Sequence, residues 1–225
     1  MSIDEQRTPK PATESTRVRN AAVHSHLNLA DRADFERASQ GLLAQLEPPV
    51  INGPFGNALW DMGKYEFLNE DAPAEANPSL WRQAQINCLH GLFEVTDGIY
   101  QVRGYDISNI TFVRTNTGWI VIDPLTVAET AAAARSLVDS HFGVRPIVAV
   151  IYTHSHADHY GGVRGIITDD DVNSGNVRLI APAGFLEAAI SENVTAGPAM
   201  TRRAMYMYGS LLPVGPRGHI DAGLG

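Results

Sequence analysis

The chain reads as a mixed protein, α+β with an α/β segment, in which a helical N-terminal extension leads into a sheet. Three observations predict this. Asp31 to Leu46 and Ser79 to Leu92 carry apolar residues at helical spacing. Ile99 to Ile122 holds three short runs rich in β-branched and aromatic residues, separated by turn-rich links. Beyond Thr126, helix-like and strand-like stretches alternate, as they do where helices cover the faces of a sheet.

Taken in order, residues 1–28 are polar, contain Pro9 and Pro11, and read as a mobile tail. Residues 29–92 form a helical and irregular extension. Its first helix places Phe35, Ala38, Leu42, Leu43 and Leu46 on one side, with Asp31 or Asp34 as cap, and Pro48-Pro49 ends it. Residues 50–78 mix Gly, Pro, Asn and aromatics, with Trp60, Tyr65 and Phe67 as packing anchors. Pro78 opens the second helix, where His90 and Cys88 read as structural.

Residues 93–225 form the second region. Strands are expected at Ile99 to Arg103, Ile107 to Arg114 and Trp119 to Ile122, the last two joined by an Asn116-Thr-Gly118 turn. Thr126 and Glu129 have capping-box spacing for an Ala-rich helix to Ser140. Pro146 to Tyr152 is a buried strand, Val177 to Ile180 another, and Pro182 to Asn193 a helix carrying Phe185, Leu186 and Ile190 inward. Leu211 to Gly225, with four glycines and two prolines, reads as loop.

Formal net charge is −8, which excludes nucleic acid as the main partner. The single cysteine, Cys88, excludes an internal disulfide and a multi-thiolate metal site. No run approaches the roughly 18 apolar residues of a membrane span, and the N-terminus has no signal-peptide core, so a cytoplasmic protein is expected.

The chemistry concentrates at Thr153-His-Ser-His-Ala-Asp-His-Tyr-Gly-Gly162, directly after a strand. His154, His156, Asp158 and His159 put four candidate metal ligands within six positions. Side chains two residues apart on a compact loop can enter one pocket. His154 and His156 would hold one metal, and Asp158 and His159 a second. Nitrogen and oxygen donors without thiolate suit zinc, and also iron or manganese. Gly161-Gly162 would let the backbone pass close to the metals.

His-x-His-x-Asp-His resembles the signature of the metallo-β-lactamase superfamily. Thr117 to Thr126, Thr153 to Val163 and Arg202 to Gly209 together look like the alkyl sulfatases that degrade dodecyl sulfate, with Asn52 to Asn57 and Ser108 to Thr111 in support. The resemblance implies the first half of an αββα sandwich, so that 93–225 is an incomplete metallo-β-lactamase-like domain of an N-terminal fragment. It implies a binuclear zinc site, with two Zn²⁺ per complete site, that hydrolyses alkyl sulfate esters to alcohol and sulfate. Asp158, besides binding metal, would orient a water. Asp123 would brace the loop by hydrogen bonding. Homodimerisation at full length, and export to the periplasm or medium in some members, also come from the resemblance.

Such a site needs ligands beyond these four. The later acids Asp169, Asp170, Asp171, Glu187, Glu192 and Asp221 do not follow a strand, and His219 sits in Gly/Pro-rich sequence. The competing readings are therefore another hydrolase of the superfamily, a thioesterase or β-lactamase, and a catalytically incomplete fragment. In the last of these, Arg202, Arg203 and Met205 to Tyr208 would be either a partner surface or core.

Overall fold

The structure is a computed structural model that describes residues 10–221. The first nine residues of the expected tail, and Ala222 to Gly225 of the expected terminal loop, lie outside them. In chain order the elements are α1 (Glu14–Val23), α2 (Ala33–Ser39), β1 (Leu42–Ala44), β2 (Val50–Asn52), β3 (Ala58–Asp61), α3 (Pro78–Asn87), β4 (Gly91–Thr96), β5 (Ile99–Arg103), β6 (Ile110–Arg114), β7 (Trp119–Ile122), α4 (Ala128–Phe142), β8 (Ile147–Ile151), α5 (Asp169–Asn173), β9 (Arg178–Ile180), α6 (Phe185–Ile190) and α7 (Gly197–Tyr208). No helix among the described residues is long and apolar enough to cross a membrane.

The chain forms two compact units. The sheet unit comprises Gln40–Asp61 and His90–Ala199. Its sheet runs β1-β4-β5-β6-β7-β8-β9, antiparallel as far as β7 and parallel from β7 through β9. The strands β2 and β3 form a separate hairpin. Alternate residues of β5, β6 and β7 are buried, and Val102, Ile110, Phe112, Trp119 and Val121 are fully enclosed. Burying each such side chain is worth about 1.5–3 kcal/mol. Helix α4 turns Ala131, Ala134, Leu137 and Val138 inward, at the three- and four-residue spacing of one helical face. Because β7 and β8 are parallel, with α4 as their crossover, their carboxyl ends reach the same edge of the sheet.

The second unit comprises the described residues up to Ser39, Met62–Leu89 and those from Met200 on. Trp81 and Ala84 of α3 are buried with Leu68, Ala76 and Ile220. Asn77 caps α3, its carbonyl oxygen accepting from Ser79 N. Arg82 bridges to Asp34 of α2 at 3.0 Å.

Several elements differ from expectation. The tail carries helix α1, capped by Thr13. The first extension helix stops at Ser39 and Leu42–Ala44 is strand β1, because Gly41 takes φ +75° and a Cβ there would overlap Glu94 O. The second helix ends at Asn87, and Gly91–Thr96 is strand β4. Asp97-Gly98, between Thr96 and Ile99, is the hairpin signal that marks it. Helix α4 has Val127 at its cap with no side-chain cap bond, so the Thr126–Glu129 capping box does not form. A capping box does form at α5, between Thr168 and Asp171. The Arg202-to-Gly209 stretch is helical to Tyr208, within α7.

Candidate metal centre

Strand β8 ends at Ile151, and the histidine-rich stretch leaves it as a loop with a short 3-10 turn at Ala157–His159. The neighbouring strand β7 ends at Ile122, and the next residue, Asp123, has its backbone in the left-handed region (φ 55°), as does Leu125 (φ 62°). For residues other than glycine this conformation costs of order 1–3 kcal/mol and persists only where the surroundings impose it. Here they do. Leu125 is fully buried, and Asp123 N donates to Ile151 O at 3.0 Å. The turn aims the Asp123 carboxylate at the start of the metal loop.

That carboxylate organises two of the histidines. Its Oδ1 accepts from Thr153 N at 2.8 Å, and its Oδ2 from the Thr153 hydroxyl at 2.6 Å. Since the hydroxyl proton is committed to the carboxylate, Thr153 Oγ1 can only accept from His154 Nδ1, 2.9 Å away. The His154 proton therefore sits on Nδ1, and Nε2 presents a lone pair. His159 Nδ1 lies 2.9 Å from Asp123 Oδ2 and donates to it, so that Nε2 is the nitrogen turned to the rest of the loop. Fixing the tautomer of a ligating histidine through its other nitrogen is how outer partners tune a metal site.

The candidate ligand atoms fall into two pairs. His154 Nε2 is 3.1 Å from His156 Nδ1, and His159 Nε2 is 3.1 Å from Asp158 Oδ2. The rings of His154 and His159 lie 4.0 Å apart by centroid. Asp123, His154 and His159 each offer a ligand atom, all within 4.8 Å of one another. Two nitrogens about 2.0–2.1 Å from one tetrahedral ion would lie about 3.3 Å apart, so the spacing of His154 and His156 fits a shared ion. Imidazole and carboxylate donors without thiolate match the same class of metal.

Four further features hold this loop. Asp106 is buried, and its carboxylate accepts from Ile107 N, Thr126 N, Thr126 Oγ1 and Thr130 Oγ1 at 2.6–3.1 Å. Thr126 is thus bound to Asp106 instead of capping α4. Ser108 Oγ donates to Asp158 O. Gly161, Gly162 and Gly165 bring the chain after His159 against the backbone of Pro124 to Ala128. A Cβ on Gly162 would overlap Pro124 O and Val127 O, and one on Gly165 would overlap Ala128 O. The close approach of Gly161-Gly162 is therefore to that backbone. Last, Glu192 comes beside the loop: Ser155 Oγ donates to its Oε2 at 3.0 Å, and its Oε1 is 3.8 Å from His156 Nε2.

Elsewhere, His219 Nδ1 shares a hydrogen bond with Tyr65 Oη at 3.2 Å. Asp221 accepts from Asn87 Nδ2 at 2.7 Å. Burial first, and Asp221 second, push the Cys88 thiol up to about 11, so it stays protonated at neutral pH. Of the other later acids, Asp169, Asp170 and Asp171 lie at the start of α5 and Glu187 lies in α6.

A family model described as the metallo-beta-lactamase superfamily matches residues 103–221, more than half of the chain. The chain belongs to the metallo-β-lactamase superfamily. It is 53% identical to a linear primary-alkylsulfatase from Pseudomonas sp. over 97% of its own length and 33% of that protein's. It is 49% identical to the alkyl/aryl-sulfatase BDS1 of Saccharomyces cerevisiae, over 96% of this chain and 34% of that one. The solved structure of the stereoselective inverting sec-alkylsulfatase Pisa1 from Pseudomonas sp. superposes with a TM-score of 0.90 at 49% identity, covering 96% of this chain and 34% of that one. The chain thus spans about a third of the length of the relatives it matches. The superfamily fold and the Asp123–His154–His159 group together support a metal cofactor at this loop.

Proposed function

We propose that the protein takes part in the metal-dependent hydrolysis of alkyl sulfate esters of the dodecyl sulfate type, giving alcohol and sulfate at a binuclear zinc site. The observation that carries this is the 49–53% identity to three alkylsulfatases across 96–97% of the chain, metal loop included. His154 and His156 would hold one ion through Nε2 and Nδ1, and Asp158 and His159 the other. Residues 93–225 would be the part of the metallo-β-lactamase-like domain that carries them. Bound zinc supplies Lewis acidity and a nucleophile at neutral pH.

The chain's own residues do the rest. Asp123 keeps protons on Nδ1 of His159 and, through Thr153, of His154, so both present Nε2. With its two oxygens taken by Thr153 and His159, Asp123 serves as brace. Asp158, whose backbone oxygen accepts from Ser108 Oγ, would orient the proton of a water as well as bind metal. A homodimer at full length belongs to the same proposal.

The test is sulfate release from dodecyl sulfate by the intact protein, run beside a thioester and a β-lactam. Release that is abolished by chelation, restored by zinc and absent in H159A is expected. Turnover of the thioester or β-lactam with dodecyl sulfate untouched would overturn the substrate assignment, and activity indifferent to chelation would overturn the metal.

A further inference from the structure

We infer that Glu192 is a positioning residue for His156: with metal bound, its carboxylate accepts from His156 Nε2–H, so that Nδ1 faces the metal. The inference rests on the proposed metal-binding role of the loop. His154 Nε2 is bare, because its Nδ1 proton is committed to Thr153. The atom His156 turns toward that lone pair, at 3.1 Å, is Nδ1. When both nitrogens face one ion, the single proton of neutral His156 must sit on Nε2. The carboxylate oxygen facing that nitrogen is Glu192 Oε1, 3.8 Å away. A ligating histidine whose second nitrogen donates to a carboxylate is the usual outer arrangement of protein metal sites, and loss of that carboxylate typically costs 10–100-fold in affinity.

The surroundings are built for this. Glu192 lies in a π-helical turn, Ser191–Thr195, that continues α6, and Ala196 N donates to Ser191 O across it at 2.9 Å. Such turns are rare and gather at functional sites. The turn is tied to the loop through the carboxylate itself and through the residue after it. Ser155, the residue between the two histidines, donates to Glu192 Oε2 at 3.0 Å. Asn193 Nδ2 is shared among Ala189 O at 2.8 Å, Tyr160 Oη at 3.2 Å and Ser155 O at 3.4 Å. Tyr160 is itself packed edge-on against Phe185 of α6, with centroids 5.2 Å apart. His156 and Glu192 side chains are 60% and 45% exposed, so their direct attraction is weak. What the contact supplies is orientation: without it the exposed ring is free to turn Nε2 to the metal or leave the site.

The test is zinc affinity by competition with a chromophoric chelator, together with imidazole nitrogen NMR of the loaded protein. E192A is expected to bind zinc about 10–100-fold more weakly with unchanged melting temperature. E192Q, which keeps an accepting oxygen, is expected to recover part of the loss, and S155A to lose less than E192A. NMR should find His156 metallated at Nδ1 and protonated at Nε2. E192A affinity within about twofold of the parent would overturn the inference, as would a metallated Nε2. N193A controls for the turn itself: a loss of affinity in E192A that tracks a lowered melting temperature, and that N193A reproduces, would also overturn it. If H154A and H159A leave zinc binding unchanged too, the loop is not the metal site and the functional reading fails. If they abolish binding while E192A does not, only the role of Glu192 fails.

Discussion

On the inner flank of the metal loop, the Asp123 side chain is 12% exposed and both of its oxygens are engaged within 3 Å. On the outer flank, the Glu192 side chain is 45% exposed, accepts from Ser155 at 3.0 Å and lies 3.8 Å from His156. The inner partner is fixed by the sheet: a strained turn at the end of β7 meets the end of β8, with Leu125 enclosed beneath. The outer partner stands on a single irregular helical turn. Rigid elements hold ligands more closely than exposed ones do. His154 and His159 are thus preset, whereas His156 is adjustable. Removing an inner partner should damage folding and metal binding together, and removing an outer one should damage metal binding alone.

The largest effect expected is at Asp123. Asp123→Ala removes the shared acceptor of Thr153 N, the Thr153 hydroxyl and His159 Nδ1 and releases the tautomers of His154 and His159. About 3 kcal/mol of stability should be lost, on the scale of 1.5–3 kcal/mol for a hydrogen bond to a charged group, with the two at exposed Thr153 partly replaced by water. Zinc affinity should fall by at least the 10–100-fold typical of such partners. Urea unfolding and chelator competition read the two losses separately. Stability within about 0.5 kcal/mol of the parent would erase the distinction between the flanks.

Gly162→Ala comes next and probes the inner flank without removing a polar group. Its φ is −84°, so the backbone suits alanine and only crowding against Pro124 O and Val127 O opposes the change. Overpacking of this kind costs about 1–3 kcal/mol. The value here should lie at the upper end, because backbone oxygens cannot rotate away. Gly175→Ala, where a Cβ would meet nothing but φ is +78°, is the matched control for conformational strain alone. Urea midpoints for the two should rank Gly162→Ala as the more damaging.

Asp106→Asn sharpens the same flank one layer out. An amide keeps one accepting oxygen but turns hydrogens toward either Ile107 N and the Thr126 hydroxyl or Thr126 N and the Thr130 hydroxyl. A loss of about 2 kcal/mol in urea unfolding is expected. Zinc affinity should change less than in Asp123→Ala, since Asp106 touches no histidine.

How much of this was legible beforehand follows from where the information lies. Strand β5 was expected and found at Ile99 to Arg103, and β7 at Trp119 to Ile122, because their apolar alternation is local. The four candidate ligands were visible because they crowd one short stretch. The bracing of His154 through Thr153 was not, since it depends on a hydroxyl whose proton is committed 30 residues away in sequence, at Asp123. Asp106 reaches across 20 residues to Thr126, and Glu192 across 37 to Ser155. Neither separation leaves a periodic trace. Leu42–Ala44 was missed for a different reason: its leucines continue a helical spacing, and the pairing with β4 that makes it a strand is a tertiary contact.

The smallest effect tests that lesson at one residue. Thr126 and Glu129 have the spacing of a capping box, and a box would make both matter to α4. Instead the Thr126 hydroxyl donates to Asp106 at 2.6 Å and the cap position falls to Val127 with no side-chain bond. Thr126→Val should therefore cost about 1.5 kcal/mol, the lower end for a hydrogen bond to a charged group. Glu129→Ala should stay within about 0.5 kcal/mol of zero, because the weak attraction of an acid to the helix start is offset by the higher helix propensity of alanine. Double-mutant cycles decide between the two arrangements: Thr126 should couple to Asp106 and not to Glu129. Coupling of Thr126 to Glu129 would restore the box and remove Asp106 from the inner flank, leaving Asp123 to hold that side of the loop alone.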